Sequence, residues 1–348
     1  MSDMSGEKSA LRAATAGTRP VLQVDQATKI YKRRRGQGVI RAVNHVSFTV
    51  EEGGVLGLVG ESGSGKSTLA RLITGVEKPD AGHITFGDLA VERLARHELR
   101  AYHKDVQMIF QDPYAALNPQ NTVGYDIMRP VINYLRLSDT QARERAYQIL
   151  ETVRLSPAGL FFEKRPHELS GGQRQRVVIA RALAPEPRLV VADEPVSMLD
   201  VSVRAEVLEL LQQLRVENHL SMIYITHDLL SARILADRLL VLYSGKAVES
   251  GPALEVIRHP QHPYTQLLLA SVPNPYRERR ERTPQSALNL GVPPVGCPFA
   301  PRCPFVMERC RVDTPALYGP GDHQVACFLH HDRVEAAPAA PVDGNQRR

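Results

Sequence analysis

No stretch of the 348-residue sequence approaches the roughly 18 consecutive apolar residues that a membrane-spanning helix needs. The first residues also lack the basic and then apolar pattern of a signal peptide. These absences predict a cytosolic protein whose contact with any membrane comes through a partner. With 43% hydrophobic and 23% charged residues, the composition is that of an ordinary globular protein.

The positive charge is not concentrated in one place. The net charge is +5, yet the basic residues are scattered, with local runs only at residues 32–35 and 277–282. No nucleic-acid-binding module accompanies them, and short charge runs are usually solvated loops. We therefore expect no nucleic-acid partner.

Apolar patterns predict an α/β fold. Alternation predicts strands over residues 21–31 and 41–50. The apolar runs at 189–192 and 222–226 are typical of strands buried on both faces of a parallel sheet. Between residues 112 and 168, turn residues and polar helical patterns replace the strands. The small, polar residues 1–20 and the Ala/Pro-rich residues 333–348 predict a disordered arm and tail.

The segment that follows the strand-like run Val55–Val59 matches the phosphate-binding pattern G-x-x-x-x-G-K-[ST] and opens a helix-like run. Glycines let the backbone approach the phosphates closely, Lys66 reaches the β and γ phosphates, and the Ser67 hydroxyl can bind Mg²⁺. The sequence therefore predicts an ATP and Mg²⁺ site whose residues are Gly60, Glu61, Ser62, Gly63, Ser64, Gly65, Lys66, Ser67 and Thr68.

Two acidic residues follow the strand-like run at 189–192. A strand end is a rigid place, so we expect Asp193 to bind Mg²⁺ directly or through water. Glu194 is then the candidate general base that orients and polarises the attacking water.

The segment Leu169–Gln173, with the sequence LSGGQ, resembles the signature of the ATP-binding cassette (ABC) family, and the resemblance covers about residues 21–330. It implies that His227 contacts the γ-phosphate and that Gln111 meets Mg²⁺ and the water. It also implies that Tyr31 stacks on adenine, although packing on the core is nearly as good an interpretation. Asp200 resembles part of the loop that links two subunits' sites, where Met198 replaces the family's usual Ala.

The resemblance also implies an architecture and a partner. The signature residues Ser170, Gly171, Gly172 and Gln173 would bind the γ-phosphate held by a second, homologous ATPase subunit or a second copy, head to tail. The expected fold is a P-loop core with an antiparallel β subdomain. Its expected domains are the ATPase at 21–258, an inserted helical subdomain at 112–172, and a Cys-rich C-terminal extension at 259–332.

The His259–Leu268 segment (HPQHPYTQLL) is similar to bacterial oligopeptide and dipeptide importer ATPases. This similarity implies two membrane-spanning permease subunits, an extracytoplasmic solute-binding protein, and a peripheral position on the cytoplasmic face of the cell membrane. Importers for nickel, glutathione or another small solute are the alternative. A soluble ABC ATPase and a metal-sensing regulator are less favoured, because there is a single cassette and both Glu194 and His227 are intact.

The first 296 residues contain no cysteine, and the four that follow lie within 31 positions. In a cytosolic protein such clustering indicates a metal site rather than disulfides. Four thiolates can hold zinc or a [4Fe–4S] cluster, and the spacing does not match common zinc ribbons. The similar importer tails favour the cluster, and four unligated thiols are the remaining alternative. The predicted ligands are Cys297, Cys303, Cys310 and Cys327.

Overall fold

A computed structural model describes residues 20–32, 38–271, 295–319 and 321–330. The predicted disordered tail and all but the last residue of the predicted arm lie outside these ranges. The basic residues 33–35 and 277–282 lie outside them as well.

Two sheets contain the strands of the described residues. In chain order the strands are β1 (Pro20–Lys32), β2 (Val39–Glu51), β3 (Val55–Val59), β4 (Ala81–Phe86), β5 (Leu89–Ala90), β6 (Val106–Ile109), β7 (Leu189–Asp193), β8 (Ser221–Thr226), β9 (Arg238–Tyr243), β10 (Lys246–Pro252) and β11 (Gln324–Val325). An antiparallel sheet has the order β2-β1-β4-β5, and the main sheet has the order β11-β10-β9-β3-β8-β7-β6. The strands predicted from the sequence correspond to β1, β2, β3, β7 and β8.

Five neighbouring strands of the main sheet, β9-β3-β8-β7-β6, run parallel. β3 is buried along its whole length, and its side chains alternate between two cores. Val55 and Val59 join the core on one face, while Leu56 and Leu58 join the core shared with the antiparallel sheet. Because both faces are covered, these strands are apolar throughout.

Helices cover the main sheet and fill the described stretch between β6 and β7. They are α1 (Lys66–Ile73), α2 (Arg96–Asp105), α3 (Pro113–Ala116), α4 (Val123–Pro130), α5 (Asp139–Thr152), α6 (Ala158–Phe162), α7 (Gly171–Leu183), α8 (Val201–Asn218), α9 (Leu229–Leu235), α10 (Ala253–Arg258), α11 (Pro263–Ala270) and α12 (Glu308–Val312). Ser138 caps the start of α5, because its hydroxyl accepts a hydrogen bond from the Gln141 backbone N–H. Within the described ranges, no helix is long and apolar enough to span a membrane.

The C-terminal extension, here residues 259–330 as far as they are described, packs on the main sheet. β11 pairs antiparallel with β10, with Glu249 opposite Val325 and Ser250 opposite Gln324. Phe299 and Phe328 belong to the same apolar core as the parallel strands. The extension therefore completes the edge of the main sheet.

Candidate nucleotide-binding site

The carboxyl ends of the parallel strands carry the predicted site residues. The loop 60–65 follows β3, Gln111 lies just beyond β6, Asp193 ends β7 with Glu194 after it, and His227 follows β8. Strand ends of a parallel sheet meet at one edge, where open α/β folds bind their ligands. The topology therefore brings together residues that lie far apart in the sequence.

The loop residues predicted to hold phosphate surround the start of α1. Gly65 caps this helix with a φ of 108°, and a Cβ there would lie 2.1 Å from the Ala42 carbonyl oxygen, so only glycine fits. The buried Lys66 ammonium donates to the carbonyl oxygens of Gly60, at 2.7 Å, and Glu61, at 2.9 Å. Between Glu61 and Gly65, Ser62 and Gly63 are exposed and Ser64 is buried.

Burial affects the charged groups behind this loop. Poor solvation lowers the pKa of Lys66 and raises the pKa of Asp193, in each case because it disfavours the charged form. Asp193 also hydrogen-bonds with the Ser67 side chain. A phosphate beside Lys66 and a divalent cation beside Asp193 and Ser67 would each favour the charged form that burial disfavours, and the α1 N-terminus favours an anion.

Two of the predicted catalytic residues meet on the carboxylate of the third. Gln111 Nε2 donates to Glu194 Oε2 at 3.1 Å, and His227 Nδ1 lies 3.2 Å from Glu194 Oε1. The Glu194 backbone has a left-handed φ of 46°, and its N–H donates to the Ile225 carbonyl on the neighbouring strand. Glu194 is therefore held from both its side chain and its backbone, in a position suited to a general base.

Tyr31 lies near the end of β1, and its hydroxyl donates to Glu77 at 2.6 Å. It also hydrogen-bonds with the side chain of Thr68, two residues after Lys66. Burial, with the help of Glu77, raises the pKa of Tyr31. These contacts place the ring beside α1.

The signature residues lie at the start of α7. Ser170 and Gln173 form a reciprocal capping box, in which each side chain accepts a hydrogen bond from the other's backbone. A Cβ on Gly172 would lie 2.4 Å from Val203, so α7 and α8 approach each other closely. Asp200 caps α8 by accepting from the Val203 backbone N–H. The half-buried Gly171 lies near this surface too, and Met198 is 56% exposed.

The four cysteines line one cavity in the C-terminal extension, together with Phe299, Phe305 and Phe328. All four are free thiols. Burial raises the pKa of Cys297 and of Cys303, and it raises the pKa of Cys327 to about 11. In the described part of the chain, no three His, Cys, Asp or Glu side chains are arranged around a single metal ion.

One contact at this site has no local signal in the sequence. Arg302 donates to both carboxylate oxygens of Glu61 in the phosphate loop, at 2.8 and 3.0 Å. The two residues are 241 positions apart, and each alone is an ordinary surface charge. Neither periodicity nor a motif could have identified the pair.

The sequence matches known families and proteins. The ABC transporter family matches residues 43–197, and the oligopeptide/dipeptide transporter C-terminal region matches residues 248–310. The di/tripeptide transport ATP-binding protein of Pseudomonas aeruginosa is 41% identical over 318 residues, which are 89% of this chain and 97% of that protein. The oligopeptide transport ATP-binding protein of Escherichia coli is 41% identical over 334 residues, 91% and 98% of the two chains.

A solved structure agrees in fold. A dimeric ATP-binding cassette in a post-hydrolysis state, bound to ADP and phosphate, has a TM-score of 0.61 and 31% identity. It covers 67% of this chain, while 98% of its own length is matched. The phosphate loop, the signature and the C-terminal match therefore occur together in one chain. The chain belongs to the ABC transporter family, among the ATP-binding proteins of the oligopeptide and dipeptide importers.

Proposed function

We propose that this chain is the ATP-binding and ATP-hydrolysing subunit that powers an importer of di- or oligopeptides. The observation that supports ATP hydrolysis best is the meeting of Gln111 and His227 on the Glu194 carboxylate, beside Lys66 and Asp193. Glu194 accepts the proton of the attacking water, and Gln111 and His227 hold the carboxylate in the orientation that this transfer needs. His227 also faces the γ-phosphate.

The nucleotide and its metal fit the residues present. The N–H groups at the start of α1 and the Lys66 ammonium bind the phosphates, and Tyr31 contacts the adenine. Ser67, Gln111 and Asp193 would hold Mg²⁺, which when bound would neutralise charge on the phosphates. The burial of Lys66 and Asp193 supports this division, since a phosphate beside the lysine and a cation beside the carboxylate would each favour the charged form that burial disfavours.

We place this subunit in a head-to-tail dimer with a homologous subunit or a second copy. Ser170, at the N-terminus of α7, presents backbone N–H groups and a hydroxyl to the γ-phosphate on the partner's loop. The helices α3 to α6 form the helical subdomain (112–172), which reaches two permease subunits at the cytoplasmic face of the membrane. An extracytoplasmic solute-binding protein delivers the peptide.

We also propose a [4Fe–4S] cluster in the C-terminal extension. The support is the donor set, because four free thiols line one cavity. Zinc held by the same four thiols is the alternative. The described residues place no three His, Cys, Asp or Glu side chains around one metal ion, so the proposal is based on the donor set alone. The cluster's role is that of a structural clip for an extension with little core of its own.

The test of cargo is transport by the assembled system. The chain is combined with its neighbouring permeases and solute-binding protein in proteoliposomes containing ATP. Uptake of a labelled di- or tripeptide, together with peptide-stimulated ATP hydrolysis, is the expected result. Stimulation by nickel or glutathione and not by peptides would refute the peptide assignment while leaving the ATPase intact. Hydrolysis in the absence of every membrane partner at the full stimulated rate would favour a soluble ATPase instead.

A further inference from the structure

Glu61 of the phosphate loop is held by the C-terminal extension at two points. Its backbone N–H donates to the Tyr264 hydroxyl at 2.8 Å, and its carboxylate receives both terminal nitrogens of Arg302. Its carbonyl oxygen accepts from the Lys66 ammonium. One residue therefore connects the lysine that faces the phosphates to two side chains of the extension.

Tyr264 and Arg302 are themselves fixed by packing against aromatic rings. Tyr264 is fully buried in α11, and its ring contacts Tyr243 and Phe299 with centroids 4.6 and 5.5 Å apart. The Arg302 guanidinium lies 5.8 Å from the ring centroids of Tyr243 and Phe299. Arg302 ends the short turn Ala300–Arg302 next to Cys303. A packed aromatic cluster thus fixes both contacts to Glu61.

The charge of Arg302 matters as much as its position. A planar guanidinium that meets a carboxylate with two parallel hydrogen bonds is among the strongest pairings of side chains. The pair offsets the negative charge of Glu61, which would otherwise lie in the loop that receives an anionic phosphate. Glu61 also raises the pKa of Arg302, so the guanidinium stays charged.

We propose that Arg302 and Tyr264 are positioning residues for the phosphate loop, and that the C-terminal extension thereby sets the affinity of this chain for nucleotide. The proposal rests on the proposed function, because it takes this loop to be the ATP site. It adds that the extension acts on the nucleotide bound to the same chain.

The first test removes the charge of Arg302 while keeping a polar side chain. In Arg302→Gln, the Kd for a fluorescent ATP analogue with Mg²⁺ should rise roughly fivefold, which is about 1 kcal/mol. Adding Glu61→Gln should restore the Kd to within about twofold of Glu61→Gln alone, because no unpaired carboxylate then remains. Arg309→Gln is the matched control, since Arg309 pairs with Asp313 in the same extension.

The outcomes separate the two proposals. A wild-type chain that binds no ATP analogue refutes the proposed function itself. If the wild-type chain binds the analogue, two results would refute only the positioning role. One is an unchanged Kd in Arg302→Gln, and the other is simply additive changes in Kd in the double variant. An equal rise in Arg309→Gln would show a general loosening of the extension, which also refutes it.

The second test concerns the Tyr264 hydroxyl. Tyr264→Phe keeps the buried ring and removes the oxygen that accepts from the Glu61 N–H. We expect the KM for ATP to rise roughly threefold with kcat unchanged, in line with the loss of one hydrogen bond. A fall in kcat with an unchanged KM would contradict a role in ground-state loop positioning.

Discussion

The buried carboxylate of Glu249 offers the sharpest test of how the C-terminal extension is attached. Glu249 lies on β10, has no exposed surface, and accepts hydrogen bonds from the backbones of Gln261 and His262 at 2.8 and 3.0 Å. His323, beside β11, lies 2.7 Å from the same carboxylate. One side chain therefore joins three segments of the chain.

Glu249→Gln keeps the volume but turns one acceptor oxygen into an NH₂ group. At least one hydrogen bond to the charged group is lost, at about 1.5–3 kcal/mol, and a donor then faces a donor in a buried site. We expect the free energy of unfolding to fall by about 3 kcal/mol, from the lost hydrogen bond together with the unsatisfied buried donor.

Urea unfolding followed by circular dichroism measures this change directly. Glu255→Gln, an exposed glutamate on the adjacent α10, is the matched control and should alter stability by less than about 0.5 kcal/mol. If Glu249→Gln and Glu255→Gln unfold at the same urea concentration, the reasoning about the buried carboxylate is wrong.

The remaining predictions concern the nucleotide and the cysteines. Glu194→Gln in the assembled transporter should bind ATP normally and hydrolyse it on the order of 10² to 10⁴ times more slowly, because the water loses its base; a near wild-type rate would remove Glu194 from that role. Lys66→Ala should weaken nucleotide binding itself, as measured by equilibrium titration, and unchanged affinity would contradict the phosphate cradle. With Ser170→Arg, the phosphate loop of the variant chain should keep its ATP and the partner's phosphate loop should lose it, as measured by nucleotide occupancy in each subunit. Loss of ATP from the variant chain's own loop would argue against head-to-tail pairing. Anaerobically purified protein should contain about four irons and absorb broadly in the visible, whereas one zinc without iron, or no metal, would refute the cluster. A single serine substitution should abolish iron binding, and it should weaken ATP binding no more than Arg302→Gln does. This holds for each of the four positions, Cys297, Cys303, Cys310 and Cys327.

The strands and the phosphate loop could be predicted because their signals are local. β3 is a short apolar run followed directly by the loop. β7 is an apolar run that ends in Asp193, and β8 is one that His227 follows directly. A parallel sheet then places those ends together, so the approach of Gln111 to Glu194 across 83 positions follows from topology.

The attachment of the extension could not be predicted in the same way. β11 has only two residues, too few to show an alternating pattern, and its pairing with β10 depends on tertiary contacts. The sequence indicates a small cap stabilised by its own ligands, whereas Phe299 and Phe328 pack into the main core. The Glu61–Arg302 pair could not be predicted, because two charges that pair across a long stretch of sequence produce no periodic pattern.

The pairing of β11 with β10 has a consequence for how the protein is made. Until residues 324–325 leave the ribosome, β10 is an open strand edge at the end of an otherwise complete sheet. Open edges recruit strands from other chains and lead to aggregation. A chain that stops short of β11 therefore has an unpaired, aggregation-prone strand edge at β10, even though its ATP-site motifs are all present. Pairing with β11 covers this edge at Glu249 and Ser250, and it reduces the surface through which unfinished copies would associate.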